Sequence, residues 1–295
     1  MIKRTLLLEN KASITTQNLQ LVIKTEQREA TVPIEDIGFV VIDHPEIYMS
    51  ITAMNYLVEQ NAALIICHPQ NHLPNGLFMN LNSHHIQQEI FKHQIKASAP
   101  LKKQLWQQTI VEKITNQGIL LETVTGDKNT FPFLASKVLS GDTSNMEGVA
   151  ANLYWKSFFE QKFKRERFGK YPNNFLNYGY AILRAATARA LSGSGLLNTL
   201  GIHHKSKYNA FALADDMMEP FRPMVDEKVW TLTQKYKEEE LTTAIKAELL
   251  QILTQTVYYG EEKSPLMVGL QRTSSSLQQC FTGERKKINY PKLWI

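Results

Sequence analysis

The chain has 295 residues, of which 43% are hydrophobic, so it is long enough for about two domains and too apolar for wholesale disorder. Its longest apolar run, Ala62–Cys67, is far shorter than the roughly 20 residues that span a bilayer. Glu9 ends the apolar N-terminal stretch too early for a signal peptide. Cys67 and Cys280 are the only cysteines, which excludes a disulfide framework and a cysteine zinc site and favours a cytoplasmic protein without membrane contact.

The net charge of +5 is unevenly distributed along the chain. Residues 1–90 carry five Lys and Arg against nine Asp and Glu, whereas residues 91–295 carry 28 against 19. Such an asymmetry indicates an anionic partner for the second part of the chain, and nucleic acid is the first candidate. A solvated surface with surplus lysine is the alternative interpretation of the same charges.

Short apolar and β-branched runs separated by polar turns dominate the first part of the chain. A helix is predicted over residues 51–60, because Ser50 is a typical N-cap and apolar residues recur after it at helical spacing. Strands are predicted at residues 5–8, 19–23, 30–34, 38–42 and 63–67. We therefore expect a small β-rich domain over residues 1–83, which has too few residues to bury both faces of a sheet and would need a partner surface.

The hydrophobic period changes to that of a helix after about residue 83. Apolar residues recur at helical spacing over residues 86–95 and 101–114, with Pro100 between these two predicted helices. The helical pattern continues to about residue 285, interrupted by predicted loops at residues 126–127, 168–174 and 192–195. The sequence thus predicts an α+β fold, in which a larger all-α domain over residues 84–295 follows the β-rich domain.

Three segments of the second part carry side chains that suit a hard divalent cation. They are Gly141–Ala151 with Glu147, Gly201–His204 with two histidines, and Leu213–Pro223 with Asp216 and Glu219. Asp216 and Glu219 stand three apart on a predicted helix, so they repel each other unless a cation or a shared proton intervenes. Carboxylates with an imidazole suit Mg²⁺ or Mn²⁺, which can activate a hydroxyl for attack on a phosphodiester. The sequence offers no credible Ser/His/Asp or Cys/His arrangement as an alternative nucleophile.

Each of these segments also has an ordinary structural interpretation. Ser144 and Glu147 have the spacing of a capping box, which would make Glu147 a helix-start residue. His203 and His204 precede a basic loop, where histidines usually lie on the surface, and the acidic pair at 215–216 fits a helix cap or a solvated face. Spacing alone therefore leaves the metal site and the structural interpretation open.

Basic side chains surround the candidate site in the sequence. The stretch Lys162–Lys170, with two phenylalanines and a glycine, is either a solvated linker or a flexible loop that DNA phosphates would order. Phosphate contacts of this kind position DNA without reading its sequence. The candidate phosphate-binding residues are Lys164, Arg165, Arg167, Lys205, Lys207 and Arg222.

Five motifs follow one another along the chain: Val32–Ile37, Gly141–Ala151 with Asn145-x-Glu147, Asn177–Leu183, Leu200–His204 and Leu213–Pro223. Taken in this order, they resemble the Cas1 family, the CRISPR-associated integrases that capture new spacers. The resemblance covers nearly the whole chain, and the doubled histidine followed by Asn209–Asp216 is most similar to members from type II systems.

The resemblance implies a set of functional residues. The metal ligands of the family fall on Glu147, His204 and Glu219, and Asp216 matches an additional acid in or next to the coordination shell. His204 rather than His203 has the family's spacing from the preceding glycine. The implied cofactor is Mg²⁺ or Mn²⁺, without a nucleotide.

The resemblance also implies an architecture, partners and a reaction. The β-rich domain would mediate a homodimer, and two dimers would flank a dimer of the small companion subunit Cas2, with other type II CRISPR proteins as further partners. The implied enzyme is a metal-dependent endonuclease and integrase, in which the 3′-hydroxyl of a double-stranded DNA fragment attacks the phosphodiester at the edge of a CRISPR repeat. The alternative functions are a general metal-dependent nuclease or junction-cleaving repair enzyme, and a non-catalytic DNA-binding subunit.

Overall fold

The computed structural model describes residues 3–80, 82–126, 130–159, 163–166, 169–237 and 239–294. The first part contains, in chain order, β1 (Arg4–Leu8), β2 (Ala12–Gln17), β3 (Gln20–Lys24), β4 (Glu29–Pro33), β5 (Ile37–Ile42), β6 (Ile47–Met49), α1 (Ile51–Glu59), β7 (Ala63–Cys67) and β8 (Pro74–Phe78). The predicted helix and the five predicted strands are confirmed, whereas β2, β6 and β8 were not predicted. Helix α1 begins where expected, because the Ser50 hydroxyl accepts a hydrogen bond from the N–H of Ala53 at 3.2 Å.

The second part is mostly helical, so the predicted α+β class is confirmed. Its elements are α2 (Gln87–Lys96), α3 (Ala99–Thr125), α4 (Phe131–Ser136), α5 (Met146–Phe158), α6 (Asn173–Gly193), α7 (Ala212–Met218), α8 (Arg222–Lys235), α9 (Thr243–Leu250), β9 (Thr256–Tyr259), β10 (Glu262–Pro265) and α10 (Leu266–Thr282). The prediction of an all-α domain is wrong at the hairpin of β9 and β10, which turns at Gly260 with a φ of 64°. Of the described helices, none combines the length and the hydropathy of a membrane span.

Two helix boundaries differ from the sequence prediction. Pro100 lies in the first turn of α3, after the N-cap Ser98, rather than in a linker between helices. The predicted loop over residues 168–174 ends earlier, because α6 begins at Asn173. The loop predicted at Gly126 is confirmed, since this residue ends α3 in the left-handed conformation with a φ of 75°.

The described strands of the first part form two four-stranded sheets. One sheet has the order β1-β5-β7-β8, with β1, β5 and β7 parallel and β8 antiparallel to β7. The other has the order β4-β3-β2-β6, in which β6 runs parallel to β2 beside an antiparallel meander. Val40 and Leu64 of the first sheet lie in a core that this sheet shares with the second sheet and α1.

The other face of the first sheet packs against the helices. Phe39, Val41 and Ile65 belong to the same apolar core as residues of α6 and α10. The helices thus cover the second face of this sheet, so the β-rich part needs no partner surface at that face. The predicted domain boundary at residues 83–84 falls between β8 and α2, and the apolar core continues across it.

Candidate active site

Glu147 lies in the first turn of α5, and another residue caps that helix. The Asp142 carboxylate accepts hydrogen bonds from the N–H groups of Met146 at 2.8 Å and Glu147 at 3.0 Å. Asn145, at the N-cap position with a φ of 52°, makes no side-chain capping bond. The capping-box interpretation of Glu147 is therefore wrong, and its carboxylate is available to a partner on α3.

That partner is Lys113, at which Glu147 and Glu219 meet. Lys113 Nζ lies 2.6 Å from Glu147 Oε1 and 2.6 Å from Glu219 Oε2. The Glu219 side chain is 6% exposed, whereas that of Glu147 is 27% exposed. Burial alone would lower the pKa of Lys113, but the charges of Glu219 and Glu147 outweigh burial and raise it. Three distant chain segments thus place two carboxylates around one positive charge.

Glu219 opens a turn of 3-10 helix that joins α7 to α8. Its Oε1 accepts a hydrogen bond from Arg222 Nε at 2.8 Å. Burial alone would raise the pKa of Glu219, but the charges of Arg222 and Lys113 lower it to about 2. Glu219 therefore stays ionised, although it is buried.

Asp216 organises the loop that carries the two histidines. Its Oδ2 accepts the N–H groups of Ile202 at 2.7 Å and His203 at 3.0 Å, and its Oδ1 accepts the N–H of His204 at 3.2 Å and lies 2.6 Å from His204 Nδ1. The hydrogen bond to Asp216 raises the pKa of His204. A Cβ on Gly201 would lie 2.6 Å from the His204 carbonyl oxygen and 2.7 Å from Asp216 Oδ2, so the loop needs glycine there. Asp216 caps this loop rather than its own helix.

The two histidines have different surroundings. The His203 ring stacks on the buried Trp106 indole, with centroids 4.1 Å apart and an interplanar angle of 4°. His204 uses Nδ1 towards Asp216, which leaves Nε2 as the nitrogen for a ligand, and its side chain is 44% exposed. This difference favours His204 as the predicted ligand.

A buried acid lies beneath Arg222. Asp226 accepts hydrogen bonds from the hydroxyl of Tyr154 at 2.9 Å and from the hydroxyl of Tyr180. Burial raises the pKa of Asp226 to about 7, although both tyrosine hydrogen bonds act to lower it. The Arg222 guanidinium lies 4.6 Å from the centroid of the Tyr180 ring. The layer of Asp226 and Tyr180 therefore supports the arginine that binds Glu219.

A cleft of about 880 Å³ adjoins this cluster, and three arginines line it together with His204. Arg165 donates from Nη1 to Asn173 Oδ1 at 2.9 Å and from Nη2 to Asn177 Oδ1 at 2.7 Å. The other two are Arg184 and the Arg222 that contacts Glu219. The wall opposite comes from the loop between β7 and β8 and the start of β8, with His68, Asn71 and Asn75.

Lys164, Lys205 and Lys207 were also predicted to bind phosphate, and none of these three lysines lines the cleft. Lys205 and Lys207 are exposed on the loop after the histidines, where Lys207 Nζ lies 5.0 Å from the Tyr208 ring centroid. Lys164 is exposed and forms an ion pair with Glu166 at 3.2 Å, and Arg167 lies outside the described residues. The structure thus brings Arg165 and Arg222 to the cleft and leaves these lysines at or beyond its rim.

The predicted ligands can be tested for their fit to a divalent cation. Lys113 Nζ marks a position that Glu147 and Glu219 both reach, and the buried Glu219 Oε2 accepts no hydrogen bond of good geometry from a described residue. Among the described residues, no three His, Cys, Asp or Glu side chains surround a single cation position. The donor atoms suit Mg²⁺ or Mn²⁺ in type, and the two glutamates reach one position, but the structure does not bring His204 to that position with them.

The fold is similar to that of solved structures. A casposase bound to an integration product matches with a TM-score of 0.78 at 19% identity, over 97% of this chain and 92% of that chain. A chain of a Cas6-RT-Cas1–Cas2 complex matches with a TM-score of 0.73 at 19% identity, over 99% of this chain and 36% of that longer chain. Likeness at this identity defines the class of fold, which is shared by Cas1-containing proteins and a casposase.

Sequence comparison then gives the family. The family model of CRISPR associated protein Cas1 matches residues 5–255. The chain is 36% identical to the CRISPR-associated endonuclease Cas1 of Neisseria meningitidis serogroup C (strain 8013), over 98% of this chain and 96% of that protein. The chain belongs to the Cas1 family, and the resemblance predicted from its motifs is confirmed.

Lys113 and Asp226 belong to the site but were not predicted from the sequence. Lys113 interrupts a stripe of buried residues on α3 that includes Trp106, Ile110 and Ile114. A lysine in such a stripe is buried only when it is paired with an acid. Its position in the sequence could therefore have predicted that it contacts carboxylates. No comparable signal marks Asp226, because its tyrosine partners come from α5 and α6.

Proposed function

We propose that the protein is a CRISPR adaptation integrase, which inserts DNA fragments at CRISPR repeats by metal-dependent attack of a 3′-hydroxyl on a phosphodiester. The observation that carries the proposal is the meeting of Glu147 and Glu219 around one positive charge, beside the Arg222 that lines a cleft with His204. Membership of a family with CRISPR-associated endonucleases supports action on DNA phosphodiesters, and the likeness to a casposase bound to an integration product supports strand transfer.

The proposed roles follow from the donor atoms of each residue. Glu147, Glu219 and His204 are the proposed ligands of Mg²⁺ or Mn²⁺. A cation held there would polarise a phosphodiester oxygen and lower the pKa of the attacking hydroxyl. Asp216 is a positioning residue, because its contact with His204 Nδ1 fixes the imidazole and directs Nε2 away from the carboxylate.

The cleft is the proposed binding site for the DNA backbone. Arg165, Arg184 and Arg222 line it, and Lys205 and Lys207 follow the histidine loop at its rim. Such contacts bind phosphates without reading bases, so DNA affinity should fall steeply as salt increases. The positive balance of residues 91–295 agrees with this location.

The proposed partners are a second copy of the chain, double-stranded DNA and Cas2. The first part of the chain carries exposed apolar side chains at Leu19, Tyr48 and Ile51, which a dimer contact through the β-rich domain would cover. A complex that contains both Cas1 and Cas2 is among the structural neighbours, which supports Cas2 as a partner. Sedimentation of the full-length protein at micromolar concentration should show a dimer, and a monomer would contradict this part of the proposal.

A strand-transfer assay tests the proposed function. A labelled DNA fragment with a free 3′-hydroxyl is incubated with a repeat-containing plasmid, Cas2 and Mn²⁺. Replacing Glu147, His204 or Glu219 by Ala should remove most of the strand transfer and leave DNA binding nearly intact, because many separate basic residues hold the DNA. A double variant should be about as inactive as a single one, since the ligands act as one unit.

Three outcomes would contradict separate parts of this proposal. Cleaved but never joined DNA would favour the general nuclease. Strand transfer in the presence of a chelator would exclude metal dependence. Normal activity of all three alanine variants would exclude the ligand set.

A further inference from the structure

Lys113 supplies the positive charge at the point where the proposed metal ligands converge. Its side chain is 10% exposed and its Nζ lies 2.6 Å from a carboxylate oxygen of Glu147 and 2.6 Å from one of Glu219. Lysine is seldom buried to this degree without a partner, and the apolar residues around it on α3 leave the two glutamates as its counter-ions. The three charged groups therefore form one unit.

Together with Arg222, the charges of this unit are balanced without any metal. Two carboxylates held this close repel each other, and the ammonium of Lys113 together with the guanidinium of Arg222 compensates both. A divalent cation added to the same position would leave an excess of buried positive charge, which is costly at low dielectric. Metal loading therefore requires that one of the resident cations leaves.

Lys113 is the resident cation that can leave. A lysine is a point charge on a flexible stem of four carbons, whereas Arg222 donates from Nε to Glu219 Oε1 and rests over the Tyr180 ring. The attraction that Glu219 Oε2 loses when the ammonium moves away is replaced by the attraction of the incoming divalent cation.

We propose that Lys113 is a built-in counter-ion that holds Glu147 and Glu219 together before metal binds and competes with the divalent cation for the same position. This proposal rests on the proposed metal-dependent function and adds a regulation to it. The lysine keeps the carboxylate pair assembled when metal is scarce, and it raises the metal concentration at which the site becomes loaded.

The test compares metal binding by the wild-type chain and Lys113→Met in solution. Mn²⁺ is the probe, because its free and bound forms are distinguished by electron paramagnetic resonance. The variant should bind Mn²⁺ about tenfold more tightly or better, since a competing charge is gone. Without metal it should unfold at a lower temperature, because two carboxylates lose their counter-ion, and saturating Mn²⁺ should raise its Tm more than that of the wild type.

Matched variants localise the effect. Lys103→Met removes an exposed lysine from the same helix and should leave Mn²⁺ affinity unchanged. Adding Glu147→Gln to Lys113→Met should abolish the gain in affinity. Lys113→Arg keeps the charge and should bind Mn²⁺ no better than the wild type. Should Lys113→Met fail to fold, Lys113→Gln provides the same comparison with a polar neutral side chain.

The outcomes separate the two proposals. Equal or weaker Mn²⁺ binding by the neutral variants would overturn the competition by Lys113 and leave metal-dependent strand transfer standing. Strand transfer by the wild type without any divalent ion would overturn the metal dependence, whatever the binding data show. If the double variant Lys113→Met/Glu147→Gln bound Mn²⁺ as tightly as Lys113→Met alone, the metal would lie away from Glu147. That result would also overturn the competition by Lys113.

Discussion

Two buried lysines of this molecule make the same kind of contact in different surroundings. Lys113 bridges Glu147 and Glu219, whereas Lys246 of α9 bridges Asp43 at 2.6 Å and Glu9 at 2.9 Å. Asp43 also contacts His72 Nδ1 at 2.8 Å through its other oxygen. The second network joins the β-rich part of the chain to the helices.

The two networks differ in how far their side chains are accessible to solvent. At the joint, the side chains of Asp43 and Lys246 are 1% and 5% exposed, so the contact between these two is sealed between packed elements, whereas the His72 side chain that also contacts Asp43 is 47% exposed. At the candidate site, Glu147 is partly exposed and Arg222 reaches the cleft. A buried lysine between two acids is therefore not in itself the mark of an active site. An open network can exchange its cation for another, and a sealed one acts as a structural joint.

The largest effect should follow from breaking the sealed joint. Lys246→Met keeps much of the side-chain volume but removes the cation of Glu9 and leaves the buried Asp43 with His72 alone, which costs about 3–5 kcal/mol. Urea unfolding at neutral pH measures this loss, and the strand transfer of the folded fraction should stay near that of the wild type. Adding Asp43→Asn should recover part of the stability, because it removes one of the unpaired charges. A loss of less than about 1 kcal/mol in the single variant would contradict the comparison.

The second-largest effect should come from removing Asp216, whose carboxylate holds the loop with His204 beside the open network. Asp216→Ala removes the acceptor of three backbone N–H groups and of His204, so the imidazole is no longer held. Loss of such a supporting carboxylate typically costs 10–100-fold in metal affinity, and about this loss is expected in a Mn²⁺ titration. Asp215→Ala is the control, since Asp215 accepts a hydrogen bond from Asn209 and none of the loop contacts. Equal losses in both variants would show that the effect is not specific to the histidine loop.

The sequence predicted the local features of the fold well. The structure confirms the N-cap at Ser50, the strand β5 and the helical period after residue 83. These features were predictable because each depends on residues that are close together in the sequence. β2 was missed because Ala12–Gln17 is largely polar, and β9 was missed because the hairpin lies within a long helical pattern. A short strand is recognised by its partner in a sheet, and pairing between distant segments is not visible in local patterns.

The candidate site was predictable where residues carried a family motif and not where contacts cross the chain. The motifs marked three acids as candidates, Glu147, Asp216 and Glu219. From the sequence alone, Glu147 and Asp216 could be either metal ligands or caps of a helix. The structure gives the helix cap to Asp142 and the loop contacts to Asp216. Lys113 lies in no motif, and its function depends on two carboxylates from other helical segments.

A smaller effect is expected from Asp226, the buried acid beneath the open network. Burial raises the pKa of Asp226 to about 7, above the ordinary 3.8. The folded protein then holds a proton that the unfolded chain has lost, so stability falls as pH rises through 7. One proton corresponds to about 1.4 kcal/mol between about pH 6 and pH 8. Urea unfolding at both pH values should show this fall in the wild type and a fall smaller by that amount in Asp226→Asn. The same pH dependence in both proteins would mean that Asp226 is not the titrating group.

The smallest effect should come from His203, which shares its loop and its backbone anchor with His204. His203→Ala keeps the backbone N–H that Asp216 accepts and loses only the stacking of the ring on Trp106. Such stacking is worth about 0.5–1.5 kcal/mol, so strand transfer should fall only a few-fold. His204→Ala should lose most of the activity in the same assay, because it removes the nitrogen opposite the Asp216 contact. If His203→Ala were inactive and His204→Ala had normal activity, His203 would be the metal ligand. Stacking on the buried Trp106 would then not show that a histidine has a structural role.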